Sequence, residues 1–252
     1  MLVCVKTEKG PARRMNEDSY LVIDDKARDR HDTATQRTLV AVADGMGGQS
    51  GGGMASKMAC EALSELYRQE LSTQELSNPN GEIKLLDKII YSIHNRIQRY
   101  GEENKEYAHM GTTLSVLVLL NNLALIAHVG DSRIYRLRHG ILEQLTEDHT
   151  MAQLSVEMGY LKLQDASKHP LRHMLTQALG EGVDEIQTRK EKVEAGDIFL
   201  LCTDGLYGYL SNDEIGKILR GEVVDHGVCG RLVEAALGRD AQDDVTVIVV
   251  QV

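Results

Sequence analysis

The sequence has 252 residues, enough for one large domain or two small ones. Its formal net charge of −10 argues against a nucleic-acid binder, because such a protein needs a basic face to meet the phosphates. Hydrophobic residues make up 42% of the chain, which allows a sizeable core, but Phe199 is the only phenylalanine and tryptophan is absent. Aliphatic side chains must therefore do most of the packing.

The cysteines and the N-terminal residues bear on the location of the protein. Cys4, Cys60, Cys202 and Cys229 are widely separated and form no C-x-x-C pair, which favours free thiols in a reducing compartment over a disulfide framework. The opening MLVCVKTEKG has no basic region followed by a long apolar run, so it does not resemble a signal peptide. No stretch is long and apolar enough to span a bilayer. We therefore expect a cytoplasmic protein without a membrane partner.

Hydrophobic periodicity predicts strands, then two helices, then strands again, and finally short helices and a closing strand. The expected strands are Leu2–Val5, Ser19–Asp24, Leu39–Ala43, Thr112–Leu120, Leu123–Val129, Ile134–Arg138, Asp197–Cys202 and Val245–Val250. The expected helices are about Gly53–Leu71, Glu82–Tyr100, Leu145–Met158, a short helix capped at Ser211, and about His226–Leu237. Loops are expected at Asp25–Arg37 and Ser72–Gly81, and an irregular segment at Gly159–Leu179. No repeat or linker divides the chain, so we expect one domain over residues 1–252.

The first group of charged residues precedes the second expected strand. Arg13 and Arg14 are followed closely by Glu17 and Asp18. Cations beside a carboxylate pair could hold a phosphate and a metal ion together. A surface salt-bridge cluster is an equally good interpretation of these residues taken alone.

The stretch LVAVADGMGGQSGGG, Leu39–Gly53, places Asp44 at the end of a buried apolar strand. A carboxylate there is costly unless it is paired, and a metal ion is a common partner. The glycines that follow allow the backbone to approach such an ion closely. A plain Asp-Gly turn and a phosphate-cradling loop are the alternatives, although the segment has neither a Gly-Lys-Ser/Thr ending nor a G-x-G-x-x-G pattern.

Further aspartates also stand at the ends of expected strands. Asp131 follows Val129-Gly130, Asp204 precedes Gly205, and Asp243 lies just before the last strand. If these ends meet, the resulting cluster of like charges is tolerable only when cations neutralise it. Oxygen ligands favour Mg²⁺ or Mn²⁺, and a pair of such ions can activate a water and clamp an anionic substrate. With an arginine nearby, hydrolysis of a phosphate ester is the natural reaction.

A histidine pair offers a competing metal site. His169 and His173 are four residues apart, a spacing that suits zinc on a helix face. Pro170 lies between them and no third ligand is near in sequence. A flap covering a site is therefore the better interpretation of this segment.

Seven motifs occur in an order that resembles one family. RRMNED, VADGMGG, GTT, GDSR, LTEDHT, LCTDGL and DDVTVIVV follow one another along essentially the whole chain. Their order and spacing resemble the PPM family, the metal-dependent protein serine/threonine phosphatases of the protein phosphatase 2C type, in its bacterial branch. The resemblance implies an α+β fold, a four-layer αββα sandwich of two antiparallel sheets flanked by helix pairs.

The resemblance also implies roles for individual residues. Asp44 is similar to the ligand that bridges two Mn²⁺ or Mg²⁺ ions, and Gly45 would add its carbonyl oxygen. The other matching residues are Asp204 and Asp243 as further ligands, Asp18 and Glu17 as the pair that binds or orients metal-bound waters, and Asp131 with Asp204 at a third, weaker ion. Arg13 matches the phosphate-binding arginine, with Arg14 as the second candidate. Residues 155–177 fall where the family carries a variable flap.

Two positions depart from the family pattern. Many relatives have a histidine near the first Asp-Gly motif as a general acid, whereas Met46 follows Asp44-Gly45 here and cannot donate a proton. A metal-bound water or His149 is the expected substitute. The terminal motif reads Asp243-Asp244 rather than Asp-Asn, which adds a negative charge beside an expected ligand.

Three functions follow from these observations, and the first is the expected one. It is hydrolysis of phosphoserine and phosphothreonine on proteins by in-line attack of a metal-activated water, with a Ser/Thr kinase as the natural counterpart. The alternatives are a catalytically silent binding module and a hydrolase of small phosphoesters. We expect phosphorylated proteins as partners, no nucleic acid, and a monomer.

Overall fold

The computed structural model describes residues 1–24, 37–47, 51–73, 79–221 and 227–252. Apart from Arg37, the loop expected over Asp25–Arg37 lies outside the described residues. Residues 48–50 of the glycine-rich stretch, 74–78 of the second expected loop and His226 lie outside them as well.

Eleven strands and seven α-helices make up the described structure. The strands are β1 Leu2–Glu8, β2 Asp18–Asp24, β3 Arg37–Met46, β4 Gly111–Thr112, β5 Leu114–Leu120, β6 Leu123–Val129, β7 Arg133–Arg138, β8 Ile141–Gln144, β9 Gln187–Lys192, β10 Ile198–Cys202 and β11 Val245–Gln251. The helices are α1 Gly51–Thr73, α2 Pro79–Glu103, α3 Met151–Glu157, α4 Leu163–Ala166, α5 Asp204–Tyr207, α6 Asn212–Leu219 and α7 Val228–Leu237.

The strands form two antiparallel sheets. One has the order β1-β11-β10-β7-β8, and the other has the order β2-β3-β5-β6-β9, with β4 paired to β3. Asn121 and His139, at φ 55° and 49°, take the left-handed backbone conformation at the turns that join β5 to β6 and β7 to β8. The nearly continuous apolar character of β5 and β6 follows from their position, because both faces of these strands are covered.

Three layers of buried side chains separate four layers of secondary structure. Helices α1 and α2 pack on the outer face of the β3-β5-β6 sheet, and α5, α6 and α7 pack on the outer face of the β1-β11-β10-β7 sheet. Between the sheets, Val40, Val42 and Leu117 meet Phe199, Ile248 and other residues of the facing strands. This arrangement confirms the expected αββα sandwich and brings ends of strands from both sheets to one edge. Within the described residues, no helix is both long enough and apolar enough to cross a membrane.

Some element predictions were wrong. The helix expected from Leu145 begins only at Met151, where the Thr150 side chain accepts a hydrogen bond from the Gln153 N–H. Leu145 instead donates its N–H to the Ile134 carbonyl at 2.7 Å, so the tertiary contact with β7 prevails over the helical pattern. Strands β8 and β9 were missed because their charged, exposed sequences show little hydrophobic signal.

The prediction of four free cysteines was also wrong. Cys4 on β1 and Cys229 on α7 form a disulfide, with their Cα atoms 6.3 Å apart. The two residues are 225 positions apart in sequence, and only the packing of α7 on the sheet brings them together. Cys60 and Cys202 are free and buried, as expected for those two.

Candidate metal centre

A cavity of about 750 Å³ opens at the edge where strand ends of both sheets meet. Of the eight residues predicted from sequence, seven line it: Arg13, Glu17, Asp44, Gly45, Asp131, Asp204 and Asp243. We call this cavity the acidic cleft. These seven residues come from five separate sequence motifs, which the fold brings together at one edge.

Asp18, the eighth predicted residue, lies directly beside the cleft. It pairs with Asp44 in the register of β2 and β3, and one of its carboxylate oxygens accepts a hydrogen bond from the Thr203 hydroxyl at 2.9 Å. Like charges opposite each other on neighbouring strands destabilise a sheet. The two aspartates therefore need a cation or a proton between them.

The main chain around Asp44 is fixed from two sides. Its N–H donates to the Thr113 hydroxyl at 2.9 Å, and its carbonyl accepts from the Thr113 N–H at 2.9 Å. Next to it, Gly45 packs against the first turn of α1 so closely that a Cβ atom would lie 2.1 Å from the Gly52 carbonyl oxygen. Only glycine permits this approach, which sets the strand end against the helix.

Arg13 is oriented by Asp243. Its Nε and NH2 groups donate to the two carboxylate oxygens of Asp243 at 2.7 and 2.6 Å, and its NH1 lies 3.8 Å from Glu17. This bidentate hydrogen bonding and the charge of Asp243 raise the pKa of the Arg13 guanidinium further. Arg14 does not line the cleft.

The hydrogen bonds of Asp244 account for the aspartate that stands where the family's terminal motif has asparagine. It is buried, and its two carboxylate oxygens accept hydrogen bonds from the Gly10 N–H at 2.9 Å and the Glu17 N–H at 2.7 Å. The second negative charge is therefore used to hold the backbone on either side of Arg13. Sequence reasoning missed this positioning role because the partners are more than two hundred residues away.

The buried carboxylates of the cleft are hard to ionise without a neighbouring cation. Burial raises the pKa of Asp18 to about 8, and burial together with the neighbouring carboxylates raises the pKa of Asp44 and Asp131 well above the ordinary range. A divalent cation would remove both the desolvation cost and the repulsion. A donor set rich in carboxylate oxygens fits hard ions such as Mn²⁺ or Mg²⁺.

His173 is a site residue that the sequence argument did not identify. Its Nδ1 lies 3.2 Å from a carboxylate oxygen of Asp204, and it lines the acidic cleft. Among the described residues, one group of His, Cys, Asp and Glu brings at least three donor atoms within 4.8 Å of one another, and it consists of Asp131, His173 and Asp204. The sequence pointed to this histidine only through its spacing from His169, because its true neighbours come from distant strand ends.

His149 does not take the general-acid position. Its Nδ1 accepts a hydrogen bond from the Gly130 N–H at 3.2 Å, and its ring is tilted by 49° against that of His128, with the ring centroids 5.0 Å apart. It is not part of the cleft lining, whereas Met46 is. Among the described histidines, His173 lines the cleft, and it comes from residues 155–177.

A buried hydrogen-bonded chain connects Asp44 with the segment that leads into α3. The Thr113 hydroxyl, which accepts from the Asp44 N–H, lies 2.7 Å from the Ser132 hydroxyl. The Ser115 hydroxyl lies 2.9 Å from the Ser132 carbonyl oxygen and 2.8 Å from Nδ1 of His128. Nε2 of His128 lies 3.1 Å from the Glu147 carbonyl oxygen. Burial lowers the pKa of His128 to about 3, so the ring is neutral, with Nε2 donating and Nδ1 accepting.

Comparison with known proteins gives consistent results. The family model described as "Protein phosphatase 2C" matches residues 14–225. The serine/threonine phosphatase stp of Listeria monocytogenes is 32% identical over 250 residues, which cover 98% of this chain and 94% of that protein. The solved serine/threonine phosphatase of S. agalactiae superposes with a TM-score of 0.88 at 28% identity, covering 100% of this chain and 99% of that one. The catalytic domain of PstP, solved in complex with two manganese ions, has a TM-score of 0.81 at 30% identity over 98% of this chain and 96% of that one.

Proposed function

Because the chain belongs to the protein phosphatase 2C family of serine/threonine phosphatases, we propose that its acidic cleft holds two Mn²⁺ or Mg²⁺ ions and hydrolyses phosphoserine and phosphothreonine on proteins. The observation that carries this proposal is the convergence of Glu17, Asp44, Asp131, Asp204 and Asp243 on one cavity together with Arg13. The two manganese ions in the PstP structure support the same assignment.

The proposed ligand roles follow the family pattern. Asp44 would bridge the two ions, Gly45 would contribute its carbonyl oxygen, and Asp204 and Asp243 would be further ligands. Asp18 and Glu17 hold waters around the ions, and both sit at backbone positions fixed by hydrogen bonds. Asp131 and Asp204, which already approach each other, hold a third ion.

The ions and the protein side chains have different roles in the proposed hydrolysis. The ions would supply an activated water for in-line attack on phosphorus and neutralise the phosphate charge. Arg13 presents a guanidinium that is already oriented by Asp243, so it can bind the phosphate oxygens with little further ordering. No nucleophilic side chain is needed, and we expect no phosphoenzyme.

The cellular setting is part of the same proposal. We place the protein in the cytoplasm, opposite a Ser/Thr kinase whose phosphorylation it reverses. All proposed site residues come from one chain, so a monomer suffices for activity. The 155–177 segment acts as a flap beside the cleft, since His173 reaches Asp204 from it.

The proposed activity is tested by comparing the rates of phosphate release from different substrates. With Mn²⁺ present, the protein should release phosphate from phosphoserine and phosphothreonine versions of one peptide, and far more slowly from the phosphotyrosine version and from nucleotides. If nucleotides or sugar phosphates are hydrolysed with the higher kcat/KM, the protein is a hydrolase of small phosphoesters. If metal binds but no substrate is hydrolysed, it is a binding module.

A further inference from the structure

A second cavity, of about 510 Å³, lies next to the acidic cleft. The two cavities share three lining residues, Arg172, His173 and Gly208. Leu163 and Ala166 of the flap segment line the second cavity, together with Ala152 of α3 and Tyr207 of α5. We call this cavity the flap cavity. A chain bound with its phosphoresidue in the acidic cleft would have a neighbouring residue within reach of it.

The flap segment, residues 155–177, exposes an unusual amount of apolar surface. It contains five of the eleven exposed large hydrophobic side chains found among the described residues, namely Met158, Tyr160, Leu163, Leu171 and Met174. Leu163, at 70% exposure, and Tyr160, at 84%, are the strongest cases. Apolar groups gathered in one exposed segment beside a catalytic cleft are typical of an interaction surface.

The same segment carries cations without acidic partners. Lys162, Lys168 and Arg172 form no ion pair with any residue in the described parts of the chain. The acidic residues of the segment are Glu157 and Asp165, so its formal charge is +1 (three cations, two anions). Lys162 and Lys168 directly adjoin Leu163 and Ser167, which line the flap cavity. In a protein of net charge −10, unpaired cations beside the acidic cleft favour binding of a negatively charged ligand.

We propose that the flap segment selects protein substrates in which acidic and aliphatic residues flank the phosphorylated one. An aliphatic side chain of the substrate packs against Leu163, Ala152 and Tyr207. The carboxylates of the substrate's acidic residues bind Lys162 and Lys168. This proposal rests on the proposed phosphatase function and assigns that function a substrate class.

Charge inside the flap cavity is compatible with an uncharged side chain. Arg133 is paired there with Asp148 through two hydrogen bonds of 2.8 and 2.6 Å, and its guanidinium lies 3.6 Å from the centre of the Tyr207 ring. The charges of this pair neutralise each other, and the other charged residues of the lining, Glu147 and Arg172, are of opposite sign, so the lining has no net formal charge. The acidic residues of the substrate therefore belong outside the cavity, at the lysines.

The experiment uses two phosphothreonine peptides, one with Asp, Glu and Leu around the phosphoresidue and one with Lys and Gly at the same positions. The wild-type protein with Mn²⁺ should have a kcat/KM roughly tenfold higher for the acidic peptide, mainly through a lower KM. Leu163→Asp and the double variant Lys162→Glu/Lys168→Glu should reduce this ratio to about one or reverse it.

Matched controls separate this result from general damage. Ile141→Asp replaces an equally exposed side chain on β8, 72% exposed against 70% for Leu163, and Lys84→Glu reverses an exposed charge on α2. Both controls should keep the wild-type preference. Equal kcat/KM for the two peptides in the wild type, or the same effect from Ile141→Asp as from Leu163→Asp, would overturn the proposal.

Hydrolysis of p-nitrophenyl phosphate distinguishes a failure of the docking proposal from a failure of the phosphatase function. If it and both peptides are hydrolysed without preference, the phosphatase function stands and the docking proposal is wrong. If none is hydrolysed with Mn²⁺, the phosphatase function fails, and the substrate class assigned here fails with it.

Discussion

Nδ1 of His173, in the flap segment, lies 3.2 Å from a carboxylate oxygen of Asp204, at the N-terminus of α5. This contact joins the segment beside the cleft to one of the proposed metal ligands. The position of the flap and the occupancy of the Asp131–Asp204 site should therefore depend on each other.

Replacing His173 with Asn should weaken Mn²⁺ binding at the weakest site roughly tenfold, because the imidazole is the third donor in the Asp131–Asp204 group. Titration calorimetry measures this binding without reference to activity. His169→Asn is the matched control, since His169 lies in the same segment and its Nδ1 accepts only from the Leu171 N–H. Equal loss of affinity in both variants would contradict the assignment.

Arg13→Ala should lower kcat/KM for a phosphothreonine peptide by about a hundredfold, because it removes the cleft guanidinium that Asp243 orients for phosphate binding. Arg14→Ala changes a neighbouring cation outside the cleft and should alter kcat/KM by no more than about threefold. Steady-state kinetics on the two variants decides between the adjacent arginines. A larger loss in Arg14→Ala would transfer the role to Arg14.

In EDTA, the free energy of unfolding should fall as the pH rises from about 6.5 to 8. Burial raises the pKa of Asp18 to about 8 and that of Asp44 well above normal, while the unfolded chain loses these protons near pH 4. Across this window the folded protein binds more protons than the unfolded one, so stability decreases with increasing pH.

Urea unfolding at several pH values tests this dependence. Asp44→Asn removes one charge of the cluster and should make the profile flatter, and saturating Mn²⁺ should do the same for the wild type. A metal-free stability that increases through the window, or a profile unaffected by Asp44→Asn, would show that the carboxylates do not repel one another in the folded protein.

Below about pH 6.5, the buried histidines should destabilise the fold. Burial lowers the pKa of His128 to about 3 and also lowers that of His149, so the unfolded chain takes up protons that the folded protein excludes. With saturating Mn²⁺, which suppresses the opposing contribution of the carboxylates, His128→Gln should make the loss of unfolding free energy between pH 7 and pH 5 smaller. His139→Gln changes a side chain that is 81% exposed and should leave this difference unchanged.

The strand-end aspartates were predictable because each lies at one end of an apolar run, before or after it, and strand ends of a sandwich meet at one edge. The fold class followed from the order of the motifs. His173 and the flap cavity were not predictable in this way, since they arise from contacts between a charged, aperiodic segment and distant strands. The Cys4–Cys229 disulfide could not be predicted for the same reason, because the sequence around either cysteine does not indicate which cysteine it pairs with.

The best test of metal-dependent hydrolysis at Asp44 uses a phosphothreonine peptide. The wild type and Asp44→Asn are each assayed in Mn²⁺ and in EDTA. A calorimetric count of bound ions should accompany it. We expect at least two ions and rapid turnover in the wild type with Mn²⁺, with turnover abolished by EDTA and reduced by roughly a thousandfold or more in Asp44→Asn. Turnover that persists in EDTA or in Asp44→Asn would contradict a metal-dependent mechanism centred on this aspartate.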